Sequence, residues 1–461
     1  MFVTTRSAVG SYKRGEAVNA VANHRAIGFY LGDDCHADMM THMSHAPEQL
    51  EKIQQDGLIV DGKHVKIKFW LGGDLKFITA MLALSGNSSI HPCPFCLVCD
   101  RKDNEQLFFT RDQLQAARVE DRTIEMIMRH AHVHDGADYE CIICKNVKKK
   151  IKSVPVTSTS PPLVFENDNQ RRQWQQLHFS VSPQRRPFFH FIPVSRIVTD
   201  ILHIELRIIP VLWKVTVSAR CRDAAHLEDI CQWVFDTQRI IISKNTAVQN
   251  SRGAMNTIGT ESWPGRTCRR ILIIHEDVLR EVSNWSTEDA PSQDIHLEIW
   301  QEFINWLAEL KYGLPIDTPE HWDAHADRFK EGAEIICAKF QRVAEASGFT
   351  PYMHCLIAHV PDIVRRFGGM VKGCSQGAEA FNQRIQKTTA TSNRHEDTLG
   401  AQVLCKEVMA TMASDLKNIM VKCTNSIAEH EHGGYMPRKE REQYDAMMHS
   451  ALEACANRRS L

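Results

Sequence analysis

A short alternation of apolar and basic residues marks the most informative stretch of the chain. From 65 to 69 apolar side chains alternate with lysines, which is the two-residue period of a strand with one buried face. We expect this strand to run from 65 to 71, with Gly72-Gly73 ending it and Asp74 left at its exposed carboxyl end. Residues 75–84 are rich in Leu, Met and Ala, which predicts a helix that holds the Asp74 carboxylate in place.

The preceding residues predict further strands and a helix. We expect a strand over 24–31 and a helix over 35–55, whereas the first sixteen residues show no clear periodic element. Residues 58–60 form another predicted strand, joined to the 65–71 strand across Asp61-Gly62, a dipeptide typical of hairpin turns. The order strand, helix, strand, carboxylate, helix predicts an α/β layer.

The middle and the end of the chain are predicted to be mainly helical. Thr199 or Asp200 is expected to cap a helix that starts near 201, and Pro361 suits the first position of another. The last thirty residues are polar and are expected to be peripheral. The predicted helical stretches are 111–129, 202–209 and beyond, 227–243, 298–312, 320–347 and 399–429.

Composition narrows the class of protein. The chain has 461 residues, 43% of them hydrophobic, which suffices for one large domain or several ordinary ones. Its net charge is −1, so nucleic-acid binding would need a local basic patch. The lysine run at 145–152 is a candidate for such a patch, but a solvent-exposed group of charges explains it equally well. Fifteen cysteines without a signal peptide predict a reducing compartment with metal-bound or buried thiols. No apolar run reaches the roughly 18–20 residues of a membrane span, so we expect a soluble intracellular protein.

Two short motifs supply candidate metal ligands. Cys93 and Cys96 form a CxxC pair, at which two thiolates can share one tetrahedral zinc, and Cys99 repeats the spacing. His354 and His359 are five residues apart, about 140° around an ideal helix, so they share no helix face. They converge only if the second histidine lies in the turn before the next helix. Buried thiols and core histidines are the simpler interpretation of each pair alone.

A second cysteine pair offers a rival ligand set. Cys141 and Cys144 follow a group of three histidines, His130, His132 and His134. Cysteines and histidines at such spacings are compatible with a tetrahedral zinc site. The residues alone therefore leave open which ligands accompany a zinc ion.

Asp74 and Glu379 are the candidate catalytic acids. The simpler interpretation of Asp74 is a turn former after two glycines, and that of Glu379 is an acid in the first turn of a helix, where the helix dipole favours it. From the residues alone these simpler interpretations are favoured. Asp200, with His203 and Glu205, is a third polar group, which a helix N-cap at Asp200 explains.

Taken in order, these motifs resemble the catalytic core of the V(D)J recombinase catalytic subunit and of the related Transib-type transposases. That family has an aspartate at a strand end nineteen residues before a CxxC pair, here Asp74 and Cys93. After a long helical insertion it has a His-x4-His pair followed by Val-Pro-acid-Ile, here residues 354–363. Its last glutamate lies in a Ser-x-Gly-x-Glu-x-x-Asn phrase, here 375–382. The resemblance covers roughly 58–390 and is thin within the insertion.

The resemblance implies an α/β RNase H-like core, interrupted by a large, mainly α-helical, zinc-binding insertion. In such DDE-type enzymes two aspartates and a glutamate hold two Mg²⁺ or Mn²⁺ ions about 4 Å apart, which drive DNA cleavage and strand transfer. Asp74 carries over as the second aspartate and Glu379 as the glutamate. DNA is the implied partner, together with a second copy of the chain in a homodimer; the implied location is the nucleus, with no membrane association.

The resemblance also implies one structural Zn²⁺ site. Cys93, Cys96, His354 and His359 carry over as its four ligands. Such a site would fasten the segment that follows the aspartate to the segment that precedes the glutamate, and so set the separation of the two carboxylates.

One feature departs from the family pattern. The family's first aspartate lies on the opening strand of the fold, and nothing upstream of Asp74 resembles that strand. We therefore expect an incomplete core without its first strand, in a truncated or domesticated copy with impaired catalysis. The alternative is a non-catalytic, zinc-stabilised protein that binds DNA or a protein partner. The predicted division is a partial core at 1–90, the helical insertion at 91–350, the zinc histidines and closing catalytic helix at 351–400, and a helical tail at 401–461.

Overall fold

The computed structural model is mostly helical, with small two-stranded sheets. The described residues form two compact units: the first takes in those of 1–97 and 120–198, and the second those of 199–373 and 435–461, with Val98. The structure describes residues 2–6, 24–29, 36–86, 89–98, 120–134, 154–155, 165, 167–217, 221, 224–240, 242, 248–249, 255–256, 263, 265–284, 293–312, 321–343, 350–367 and 438–459.

The first unit combines short helices with paired strands. Met39, Leu75, Ile78 and Met81 are fully buried and form part of its core. Strands β1–β2 and β3–β4 pair antiparallel, β6–β7 pair parallel, and β5 pairs with β8. The elements are β1 (Phe2–Arg6), β2 (His24–Phe29), α1 (His36–Met43), α2 (His45–Asp56), β3 (Leu58–Val60), β4 (Lys63–Val65), β5 (Leu71–Gly73), α3 (Leu75–Met81), α4 (Ile124–Ala131), β6 (Val133–His134), β7 (Val154–Pro155), α5 (Asp168–Leu177) and β8 (Ile197–Thr199).

The second unit is a helical assembly around aromatic side chains. Trp213, Trp300, Phe303, Phe329 and Phe340 are among its largest fully buried side chains. Helix α9 packs against α8, α10 and α13, and α6 against α8 and α11. The elements are α6 (Ile201–Thr216), α7 (Ala224–Gln238), β9 (Val248–Gln249), β10 (Met255–Asn256), α8 (Gly265–Asn284), α9 (Gln293–Tyr312), α10 (Trp322–Gln341), α11 (Pro351–Ala358), α12 (Val360–Phe367) and α13 (Arg438–Arg459).

The strand predictions are confirmed in part. The hairpin across Asp61-Gly62 is present, with both turn residues at positive φ, as a type I′ turn requires. The single strand predicted for 65–71 is wrong: β4 ends at Val65, and the two glycines belong to β5 instead of ending it. The backbone N–H of Phe69 donates to Gln54 Oε1 at 3.2 Å, so a side chain of α2 takes the place of a neighbouring strand.

Two predictions for the first fifty-five residues need correction. The opening residues do contain an element, since β1 pairs with β2 through a register irregularity after Val3. The helix predicted over 35–55 is two helices, α1 and α2, that meet at Ser44. Pro47 has no N–H to donate to the preceding turn, and the restart at His45 places it in the first turn of α2, where none is needed.

The helical predictions for the second unit are largely confirmed. Asp200 caps α6 by accepting hydrogen bonds from the Leu202 and His203 N–H groups, both at 3.2 Å. Helix α8 was not predicted. The expectation that the last thirty residues are peripheral is wrong, because Tyr444 and Met448 of α13 are buried.

The predicted RNase H-like core remains a prediction. In the described part of the chain the strands pair two by two, and Glu379 and the predicted tail helix at 399–429 lie outside the described residues. None of the described helices is both long and apolar enough to cross a membrane.

Candidate metal centre

Two cysteines and two histidines converge at one buried point. Each of Cys93, Cys96, His354 and His359 offers one ligand atom, and these atoms all lie within 4.8 Å of one another. All four residues are buried, the cysteines at 1% exposure. The structure thus brings together the four residues that the family resemblance assigns to a zinc site.

The cysteine pair lies in an irregular loop. The backbone N–H of Phe95 donates to Cys93 Sγ at 3.4 Å, a bond that orients the sulfur within the loop. Cys96 forms an isolated antiparallel bridge with Asp121, and the Leu97 N–H donates to the Glu120 carbonyl at 3.0 Å. Backbone pairing with residues that precede α4 therefore fixes the second cysteine.

The histidine pair lies where one helix ends and the next begins. His354 is inside α11, which starts at Pro351 under a cap from Thr350, whose hydroxyl accepts from the Met353 N–H at 3.4 Å. His359 is the C-terminal cap of α11 and immediately precedes α12. The two Nε2 atoms lie 3.1 Å apart. This confirms that the second histidine lies in a turn before the next helix.

The donor set suits a zinc ion in spacing and in charge. Zinc–thiolate and zinc–imidazole bonds of ~2.0–2.3 Å in a tetrahedron place neighbouring ligand atoms ~3.3–3.8 Å apart, which the cluster reaches with small adjustments. Two thiolates and two neutral imidazoles also balance a divalent cation, so the buried site would carry no net charge. The four residues could therefore hold a metal such as zinc.

Asp74 serves as a helix cap. It follows β5, and its Oδ1 accepts a hydrogen bond from the Phe77 N–H at 2.6 Å at the start of α3. This geometry matches the simpler interpretation of the residue and is equally open to a catalytic role. Its predicted partner Glu379 lies outside the described residues.

Two of the three rival histidines, His130 and His132, lie in an aromatic cluster. The ring of His178 stacks on Trp174 at 3.8 Å, and the rings of His130 and His132 lie 5.6 Å and 5.2 Å from it. Burial, together with the neighbouring basic groups, lowers the pKa of His130 to about 4 and that of His178 to about 3. Among the described residues, no His, Cys, Asp or Glu group other than the Cys₂His₂ cluster converges well enough to hold a metal ion. Cys99, Cys141, Cys144 and the lysine run at 145–152 lie outside the described residues.

The structure also identifies a neighbour of the cysteine loop that no sequence motif indicates. Arg122 is buried beside that loop and donates hydrogen bonds to its carbonyl groups. A single basic residue without a spacing pattern carries no sequence signal for such a role. In the third polar group of the sequence, Asp200 caps α6, and Glu205 is buried with Lys311 and Tyr444 as its hydrogen-bond partners.

Comparison with known proteins identifies no family for this chain. No protein-family model matches the chain, and no curated protein matches its sequence.

Proposed function

We propose that this chain is a DDE-type transposase- or recombinase-like protein whose fold is fastened by one structural zinc ion. The observation that carries the proposal is the convergence of Cys93, Cys96, His354 and His359 from two distant segments of the chain. These are the four positions that the resemblance to the V(D)J recombinase catalytic subunit assigns to zinc. Two cysteines and two histidines that were buried only as core residues would not be expected to bring their ligand atoms within 4.8 Å of one another.

The zinc site would set the positions of the catalytic acids. Between Asp74 and Cys93 the chain forms α3, whose Leu75, Ile78 and Met81 are fully buried, so the carboxylate sits on a firmly packed element. On the other side, the segment that leads toward Glu379 starts from the histidine pair. In the proposed enzyme these two acids would bind Mg²⁺ or Mn²⁺, with DNA as the substrate and a second copy of the chain as the partner. The bound divalent ions would activate the attacking water or 3′-hydroxyl and stabilise the transition state.

Metal analysis tests the zinc site. We expect one zinc per purified chain, lost in Cys96→Ser and in His359→Ala. Cys455→Ser is the matched control, because Cys455 contacts the Asn305 carbonyl and lies outside the cluster. Full zinc content in both ligand variants would refute the site.

Nicking of supercoiled DNA tests the catalytic part. We expect weak nicking that requires Mg²⁺ or Mn²⁺ and disappears in Asp74→Asn and Glu379→Gln. The asparagine is the right substitution, because its side-chain oxygen still accepts from the Phe77 N–H and preserves the cap of α3. Nicking that persists in both variants would refute the catalytic assignment and leave the zinc site standing.

A non-catalytic, zinc-stabilised protein that binds DNA or a protein partner is the second candidate. The cap that Asp74 provides to α3 favours it, since this is a complete structural role that needs no cation. This candidate predicts binding that is lost with the zinc, unchanged by Asp74→Asn, and unaccompanied by metal-dependent nicking. Fluorescence anisotropy with labelled duplex DNA, measured alongside the nicking assay, separates the two candidates.

A further inference from the structure

A buried arginine lies against the backbone of the cysteine loop. Arg122 is 2% exposed. Its Nε donates to the carbonyl oxygens of Cys93 at 2.8 Å and Cys96 at 3.0 Å, and its Nη2 donates to that of His91 at 3.2 Å. One guanidinium group thus contacts three carbonyls of the six-residue segment that carries both cysteine sulfurs.

The arginine is itself held in place from both sides. Its backbone N–H donates to the Phe95 carbonyl at 2.7 Å, which ties it to the same loop. The next residue, Thr123, caps α4 by accepting from the Met126 N–H at 3.1 Å. Helix α4 is anchored by the fully buried Ile127. Arg122 is therefore a rigid link between a packed helix and the cysteine loop.

The three carbonyl oxygens also compensate for the burial of the guanidinium. A buried cation needs hydrogen-bond partners, and Arg122, at 2% exposure, finds them in the backbone of the cysteine loop. The contacts that hold the loop are therefore also the contacts that stabilise the buried arginine.

We propose that Arg122 is a positioning residue for the Cys₂His₂ metal site, which holds the loop so that both sulfurs face the same point. This inference rests on the proposed zinc site. It goes beyond that site because Arg122 is not a ligand and belongs to neither motif. Removing residues that orient metal ligands typically costs about 10–100-fold in metal affinity.

Zinc affinity in the full chain tests the proposal, measured by competition with a chromogenic chelator. Arg122→Met retains the length of the side chain and removes its donors, and we expect zinc to bind about 10–100-fold more weakly, still at one ion per chain. Arg122→Lys retains the charge without the fork of donors and should recover part of the affinity. Arg129→Met is the matched control, since Arg129 is an exposed residue of α4, the helix that follows Arg122, and this variant should bind zinc as the wild type does.

Cobalt substitution provides a second measurement. With Co²⁺ in place of zinc, the thiolate-to-metal absorption should retain its intensity in Arg122→Met and shift in position, because both sulfurs still bind in an altered geometry. A purely structural arginine would lower the melting temperature of the metal-free protein and leave zinc affinity and the cobalt spectrum unchanged, which would overturn the proposal. If Arg122→Met does not fold, Arg122→Lys decides the question. A zinc affinity and a cobalt spectrum equal to those of the wild type in this variant would also overturn the proposal. Absence of zinc from the wild type would instead refute the underlying site.

Discussion

Glu205 is expected to be the charge on which the docking of the last helix depends. This carboxylate of α6 is 1% exposed. It pairs with Lys311 of α9 and lies 3.7 Å from Arg269 of α8, and the Tyr444 hydroxyl of α13 donates to it at 3.0 Å. Four helices therefore meet at one acid, which carries the only negative charge within this group of four residues.

The expected loss of stability on removing this charge follows from its distance to the neighbouring cations. At an effective dielectric constant of 20, a pair of unit charges 3.7 Å apart attract by about 4.5 kcal/mol before desolvation is counted. Lys311 and Arg269 are only 13% and 15% exposed, so water screens little of this attraction. Glu205→Gln removes this negative charge from beside both cations, and removing one partner of a buried pair typically costs about 3–5 kcal/mol. We expect the lower end, about 3 kcal/mol, because the amide oxygen still accepts from the tyrosine.

Urea denaturation followed by circular dichroism, with amide exchange of α13 measured by mass spectrometry, provides the assay. We expect a lower unfolding midpoint and faster exchange along α13. Glu276→Gln is the control: its side chain is 57% exposed, and its stability should change by less than about 0.5 kcal/mol. In the double variant Glu205→Gln, Lys311→Met, part of the loss should return, because one buried cation is removed with the acid. If Glu205→Gln is as stable as its control, the buried network contributes nothing and the reasoning is refuted.

Three further predictions test other parts of the structure. The pKa of His178 is about 3 in the folded protein and 6.5 in the unfolded chain, so stability is highest above pH 6.5 and falls as the pH decreases toward 3. Between pH 7 and pH 5, the free energy of unfolding of His178→Phe should therefore fall by about 1–2 kcal/mol less than that of the wild type, as measured by urea titration. Gly57→Ala should destabilise by well over 1 kcal/mol, because at φ +73° its Cβ would lie 2.7 Å from the Val65 carbonyl oxygen, whereas Gly62→Ala at φ +74° meets nothing within 4 Å and should lower the melting temperature less. Asp74→Ala should cost about 1 kcal/mol through loss of the α3 cap, and Asp74→Asn close to nothing; equal melting temperatures would exclude the cap.

Local sequence patterns predicted the helices better than the strands. The cap at Asp200 and the helix after it could be read from the chain because the capping acceptor and the N–H groups it serves lie within three residues. The strand predicted over 65–71 failed for the opposite reason: its alternation was real, but the partner of Phe69 is a glutamine side chain of α2. Helix α8 did carry a readable signal, since Ile271, Leu272 and Leu279 are buried at helical spacing.

The metal centre was predictable only because the order of the motifs along the chain resembles that of a known family. Neither the cysteine pair nor the histidine pair requires the other, and their sequence spacing contains no information about the fold that joins them. Arg122 shows the limit of such reasoning. It contacts three backbone carbonyls 26 to 31 residues earlier, and carbonyl groups are the same for every residue type. Only coordinates could identify it.

A single proline explains how the two histidines come to share a point. On a continuous helix the side chains of His354 and His359 would diverge by about 140°. Pro361 has no N–H to donate, and its ring would collide with the carbonyl of Ile357, so α11 cannot continue through it as a regular helix. The chain instead turns at His359, whose φ of −121° departs from helical values, and α12 starts at the next residue. That turn brings the two Nε2 atoms to 3.1 Å, so the five-residue spacing, unfavourable for ligands on one helix, becomes suitable once the proline breaks the helix.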